Sequence, residues 1–188
     1  MKRLAILALS LAALASGQQV RLHLDRSQTQ VQFTLGDVLH TVHGVFKLKS
    51  GDLWFDPSSG QAGGQIIVDA SSGESGSEAR DSRMHKNILE SAMFPDITFV
   101  PDRVDGKMNL DGDSGITLHG QLALHGAAHD LTMNVKTHVD HQHLTADVSF
   151  PVPYVKWGMK NPSTLFLRVK DTVEIGIQAS GELSRTTP

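Results

Sequence analysis

The sequence predicts an all-β fold: an antiparallel meander that closes on itself or packs against a second sheet, interrupted by one amphipathic helix. Three observations carry this expectation. Apolar and polar residues alternate with period two in segment after segment, as half-buried strands require. Turn-forming pairs punctuate these segments at short intervals, without the alternating helices of a βαβ chain. A single stretch, between Ser71 and Pro95, changes to helical spacing.

The elements follow in chain order. Lys2 and Arg3 precede an apolar run from Leu4 to Leu14 and then small residues up to Gly17, the pattern of a secretory signal peptide over residues 1–17. The run is far shorter than the ~20 residues of a spanning helix. The expected mature product is one domain, residues 18–188, in the periplasm or secreted. Val20 to Asp25, Val31 to Leu35, Val38 to Leu48, Leu53 to Phe55, Gln65 to Ala70 and Ile97 to Val104 read as extended. Ser50-Gly51, Pro57 to Gly60, Asp105-Gly106, Asp111 to Gly115 and His125-Gly126 read as turns. In the irregular stretch, Ser77 is placed to cap a helix from Glu78 to Met93, and Pro95 ends it. Met84, Ile88, Leu89, Ala92 and Met93 form its apolar stripe, opposite Arg80, Arg83, Lys86 and Glu90. The late strands alternate most cleanly. Ile116, Leu118, Leu122 and Leu124 share one parity, as do Leu131, Met133, Val135 and Val139, then Leu144, Ala146, Val148 and Phe150, then Val173, Ile175, Ile177 and Ala179.

Composition excludes several function classes. The 188 residues contain no cysteine, which removes disulfides, thiolate metal sites and a cysteine nucleophile. Removing Lys2 and Arg3 leaves 15 of the 17 basic residues against 20 acids, so the mature net charge is −5 and nucleic acid is an unsuitable partner. There is no Gly-x-Ser-x-Gly elbow, His-Glu-x-x-His helix, phosphate-binding glycine loop or dinucleotide fingerprint, and the expectation is that the protein is not an enzyme. Ten histidines against one tyrosine are the compositional oddity. Protonating all ten would move the mature charge from −5 to +5, strengthening attraction to anionic lipid. A metal site is the sharper alternative, built from His138, His141 and His143, with His141 and His143 on one face of an extended segment.

Asp25 with Val31-x-Phe33, Val42-His43-Gly44-Val45-Phe46, and Ser50-Gly51-Asp52-Leu53-Trp54-Phe55-Asp56 open a series of motifs. Arg80 to His85, Leu89-Glu90-Ser91 and Phe94 to Phe99 follow, then Leu118 to Leu122, Gly126 to Leu131, Pro153 to Lys160 and Val169-x-Asp171-x-Val173. In this order the motifs resemble the YceI-like family of exported lipocalin-like barrels that bind polyisoprenoid lipids. The sequence departs from the family in having Gln28-Thr29 where a His-Ser pair is common, and in a short passage from helix to following strand.

The resemblance implies an antiparallel lipocalin-like barrel of about eight strands holding a long-chain isoprenoid lipid or a quinone-like amphiphile, with no cofactor. Parity then lines the tube with Phe33, Leu35, Phe46, Leu118, Leu122, Met133, Val135, Val148, Phe150, Ile175 and Ile177, which the ordinary reading makes simply core. Met84, Ile88, Leu89, Met93 and Phe94 are candidates to close one end, and Arg80, Asp81 and Arg83 to hold a polar head group. Pro153 to Lys160 has the aromatics and lysines of a membrane-facing rim. The expected protein is a monomer or weak homodimer that binds and releases lipid. A histidine-rich metal buffer, a lipid hydrolase or isomerase, and a filled stress-response or scaffold barrel are the alternatives.

Overall fold

The computed structural model describes residues 19–36, 41–165 and 168–185; the expected signal peptide, and Val38 to His40 of one expected strand, lie outside them. The described residues form nine strands: β1 (Val20–Leu24), β2 (Gln30–Gly36), β3 (Thr41–Phe55), β4 (Ala62–Glu74), β5 (Asp96–Asp105), β6 (Gly112–Leu124), β7 (Ala127–Asp140), β8 (His143–Val152) and β9 (Val173–Arg185). All pairings are antiparallel, and the sheet closes completely. β1 and β2 both lie between β3 and β9, end to end, so nine segments fill eight positions of a closed barrel. Closure removes the exposed sheet edges that an open meander would leave.

The break between β1 and β2 has a local cause. Asp25 Oδ1 accepts from Ser27 N at 2.7 Å and Ser27 Oγ at 2.6 Å, which folds the chain into a side-chain-closed turn. Thr29, one of the departures from the family pattern, re-enters the wall by donating to Ser180 O at 3.3 Å and accepting from Ser180 N at 3.2 Å.

The late hairpins follow the alternation directly: from Leu131 to Val139 every odd residue of β7 is buried and every even one exposed. His125 and Gly126 both take positive φ, 52° and 79°, and form the two-residue turn between β6 and β7, where Leu124 faces Ala127. Gly126 is required twice, since a Cβ there would meet Phe94 Cε1 at 2.6 Å.

The early half corrects the sequence reading in three places. Ser50-Gly51 is not a turn: β3 runs through it with register shifts between Val45 and Lys47 and between Leu48 and Ser50. Those irregularities absorb the bend that the Ser-Gly signal predicted, and Leu24 of β1 packs where a Gly51 Cβ would stand. β4 extends to Glu74, because Glu74 pairs with Val45 and Ser72 Oγ accepts from Lys47 N at 2.8 Å. The Asp111 to Gly115 turn is shorter than expected, with β6 already under way from Gly112.

The helix is also shorter. α1 spans only Glu78–Arg83, and a π-helical turn follows over Met84–Ile88. Ser77 adopts the extended N-cap conformation but its side chain makes no capping bond. The wide turn is closed by Leu89 N donating to Met84 O at 2.9 Å, and helical geometry then ends at Glu90, whose φ is 46°, rather than at Pro95. This swings Ala92 and Met93 off the stripe that a continuous helix would have kept.

Connectivity fixes the two ends of the barrel. α1, the β6–β7 turn and the 153–172 segment between β8 and β9 lie at one end; the β3–β4, β5–β6 and β7–β8 connections lie at the other. Val20, Phe55, Val139, Leu144 and Leu183 form an apolar cluster that fills the second end, each fully buried side chain of this size contributing roughly 1.5–3 kcal/mol.

Candidate ligand-binding cavity

Inward residues of the barrel enclose a cavity of about 660 Å³. All eight ring positions contribute aliphatic or aromatic side chains to it. Near α1 the lining residues Ala79, Arg80 and Arg83 are exposed, whereas Phe55 and Leu144 at the far end are buried, so the cavity meets solvent at the helix end. That end is the mouth. The size falls within the ordinary range of small-molecule sites.

The eleven residues chosen by strand parity all face this space. Phe33 and Leu35 come from β2, Phe46 from β3, and Leu118 and Leu122 from β6. Met133 and Val135 come from β7, Val148 and Phe150 from β8, and Ile175 and Ile177 from β9. Phe33 and Phe46 touch across neighbouring strands with ring centroids 5.3 Å apart, a tilted pair below the mouth. Met84, Ile88 and Leu89 reach the cavity from the π turn.

Met93 and Phe94 do not line the cavity. Met93 is 70% exposed, and the Phe94 ring packs on the β6–β7 turn, 4.7 Å from the ring of His125, because the chain leaves the helix at Glu90 before either residue can turn inward. The three head-group candidates also separate. Asp81 accepts from Ser75 N at 2.9 Å and from the Ser75 hydroxyl, which commits its carboxylate to holding the end of β4. Arg80 lines the mouth while donating from Nε to Ser75 Oγ at 2.6 Å and from its terminal nitrogen to Ser75 O at 2.7 Å. Arg83 lines the mouth as well, and its guanidinium has no ion pair or hydrogen bond among the described residues.

Sequence reasoning missed several lining residues. Leu24, Leu48, Ile66, Val68, Ile97 and Phe99 come from the early half, where the apolar–polar alternation of the sequence is less regular. Tyr154 and Met159 come from the loop after β8; both are buried at its base. Tyr154 donates its hydroxyl to Lys170 O at 2.7 Å, and burial, with the nearby Asp171 carboxylate, pushes its pKa up to about 12. The polar lining is sparse: Thr29 and Thr137 are buried, and Ser75, Ser77 and the arginines sit at the mouth.

The histidine cluster does not assemble. His141 occupies the turn between β7 and β8 with φ of 58°, which removes it from the face it was expected to share with His143. His138 Nδ1 lies 2.7 Å from Asp113, His141 Nδ1 3.2 Å from Asp140, and His143 Nδ1 3.1 Å from Glu182. Each imidazole thus faces a different carboxylate, and among the described residues no group of three or more His, Cys, Asp or Glu side chains is placed to hold a metal ion.

A YceI-like domain model matches residues 22–180. The chain belongs to the YceI-like family. Its solved relatives include BcnA of Burkholderia cenocepacia, at 18% identity and TM-score 0.69, covering 84% of this chain and 98% of that one. A polyisoprenoid-binding domain from Saccharophagus degradans, implicated in plant cell wall breakdown, superposes at TM-score 0.69 and 15% identity over 87% of this chain and 98% of its own. The YceI protein of Campylobacter jejuni superposes at TM-score 0.53 and 12% identity over the full length of both chains. At these identities the structures show a shared fold. No curated protein sequence matches the chain. Among the described residues of this YceI-like barrel, no helix is long and apolar enough to cross a membrane.

Proposed function

We propose that this barrel sequesters or transports a long-chain isoprenoid amphiphile, a polyprenyl derivative or a quinone-like lipid, with the tail in the cavity and the polar end at the mouth. The observation that carries the reading is the continuous apolar lining from all eight ring positions, opening beside the guanidinium of Arg83, which has no partner among the described residues. Each ligand methylene taken out of water there contributes roughly 0.8 kcal/mol, so a long tail needs few polar contacts to bind well. A guanidinium at the mouth suits a phosphate or carbonyl oxygen. The polyisoprenoid-binding relative from Saccharophagus degradans supports the same ligand class.

On this reading residues 1–17 direct export and are removed, and residues 18–188 act in the periplasm or outside the cell as a monomer or weak homodimer. The process is binding and release, with no covalent step. The test is lipid extraction and mass spectrometry of mature protein purified without detergent from its own exported compartment, beside an unrelated exported protein. A stoichiometric isoprenoid is expected. A lipid profile equal to the control, unchanged after incubation with prenyl lipids, would overturn the proposal.

A further inference from the structure

The two ends of the barrel differ in charge. At the closed end, the connections 56–61, 106–111 and 140–142 carry Asp56, Asp111 and Asp140 against the single base Lys107, with His141 beside Asp140. At the mouth, the 75–95 connection balances Glu78, Asp81 and Glu90 against Arg80, Arg83 and Lys86, and the 153–172 segment carries Lys156, Lys160, Arg168 and Lys170 against Asp171. All four bases are exposed, and Asp171 already accepts from Asn161 Nδ2 at 2.6 Å. The segment is anchored at several points. Trp157 stacks on His129 with centroids 4.0 Å apart and planes 3° from parallel, Met159 is 3% exposed, and the Tyr154 hydroxyl is tied to Lys170 O.

The same end presents the most exposed large apolar side chains among the described residues. Leu165 is 89% exposed and Met93 70%, against 44% for Val45 and 43% for Val100. Both lie on mouth connections, Leu165 between β8 and β9 and Met93 between α1 and β5. Isolated apolar residues on a surface are ordinary. Two at the cavity's open end, where the larger connecting loop is basic, fit one kind of partner.

We propose that the mouth docks on an anionic lipid surface, with Met93 and Leu165 entering the head-group region and Lys156, Lys160, Arg168 and Lys170 lying over lipid phosphates. Each basic residue near such a surface strengthens partition roughly fivefold, and the effect fades with salt. Docked this way, the cavity opens onto the bilayer, and a tail passes between the two without crossing water. The docking stands on the rim's charge and exposure, independently of what the cavity holds; only the passage of a tail rests on the carrier reading.

The experiment uses full mature chain and sedimentation with vesicles of phosphatidylcholine alone or mixed with phosphatidylglycerol. Binding is expected only with the anionic vesicles, falling with salt. The double variant Lys156→Glu/Lys160→Glu should lose tenfold or more, and Met93→Ser/Leu165→Ser several-fold even at low salt. Lys136→Glu, an exposed change on the wall in β7, should stay within about twofold. Melting curves accompany each variant, and the milder Lys156→Gln/Lys160→Gln pair replaces any that unfolds early. Equal binding to both vesicle types, no binding to either, an equal loss with Lys136→Glu, or capture only by a membrane protein would overturn the docking. Extracted-lipid stoichiometry of the unaltered chain is scored separately, so an empty barrel that still docks counts against the carrier alone.

Discussion

Glu90 and His125 meet side chain to side chain at the mouth, Oε2 to Nε2 at 2.7 Å, and both have positive φ, 46° and 52°. Two L-residues in the left-handed region are each unfavourable by about 1 kcal/mol. Here the hydrogen bond joins the two bends to each other. It ties the chain leaving the π turn to the β6–β7 hairpin, with Phe94 packed on the His125 ring.

Breaking this tie should loosen the mouth before the barrel. Glu90→Ala is expected to cost roughly 0.5–1.5 kcal/mol, the pair being only partly shielded from solvent. Amide exchange resolved by segment should show faster opening over Met84–Phe94 and no change in β8 and β9. Uniform acceleration through the barrel would sink the idea of a local clip.

Leu122 is 7% exposed and faces the cavity from β6. Leu122→Trp places added volume into space that a ligand tail would occupy, while the surrounding wall loses no contacts. Ligand retention should drop about tenfold or more, equivalent to losing roughly two methylenes of burial, with an unchanged far-ultraviolet spectrum. Full retention by a folded Leu122→Trp protein would locate the tail elsewhere.

Gly73 shows how closely the helical segment sits on the wall. A Cβ added there would meet Phe46 Cε1 at 2.5 Å and Met84 Cε at 2.7 Å, both part of the cavity lining. Gly73→Ala is expected to destabilise by about 1–3 kcal/mol through overpacking. It should also speed release of bound lipid, because Met84 is the neighbour with room to yield. Denaturant melting together with a displacement assay separates the two effects, and a stability loss with unaltered release would show that Phe46 yields instead.

The parity of the late strands was legible because they pair through long uninterrupted ladders: β6 and β7 match residue for residue from Gly112↔Val139 to Leu124↔Ala127. Reading alternate residues there gave the inward set directly. The bulge of β3 after Leu48 hid Leu53 and Phe55, which line the cavity on the parity opposite to Phe46 and Leu48, since one extra residue reverses parity without altering composition. The helix failed for a different reason. Its apolar spacing fits α geometry through Met93, but the bend at Glu90 depends on His125, thirty-five residues away, which no local window contains. Arg80, Asp81 and Arg83 were found together by charge, while their roles divide according to Ser75, whose place at the end of β4 is a tertiary fact.

Local turns govern stability at acid pH and distant contacts govern it at alkaline pH. Asp25, Asp56 and Asp69 all have carboxyls held below the ordinary aspartate value of 3.8, chiefly by the hydroxyls of Ser27, Ser58 and Ser71. Their folded-state pKa values lie below the unfolded ones, so their stabilisation is complete above the unfolded value and is lost as pH falls through the folded values. Tyr154 acts at the other extreme. With its folded pKa raised from 10.0 to about 12, the unfolded chain ionises first, and stability falls as pH climbs between those values. Lys49, raised above 10.5 chiefly by its 2.5 Å hydrogen bond to Asp96, adds to the alkaline loss, since its contribution disappears as pH passes its folded value. Denaturant midpoints should therefore decline below about pH 4 and again above about pH 10 from these groups. Tyr154→Phe should flatten part of the alkaline decline, and Ser27→Ala should flatten part of the acid decline by bringing the folded Asp25 value back toward the unfolded one. An alkaline profile identical in Tyr154→Phe would mean that the phenol ionises as readily in the folded barrel as in the unfolded chain.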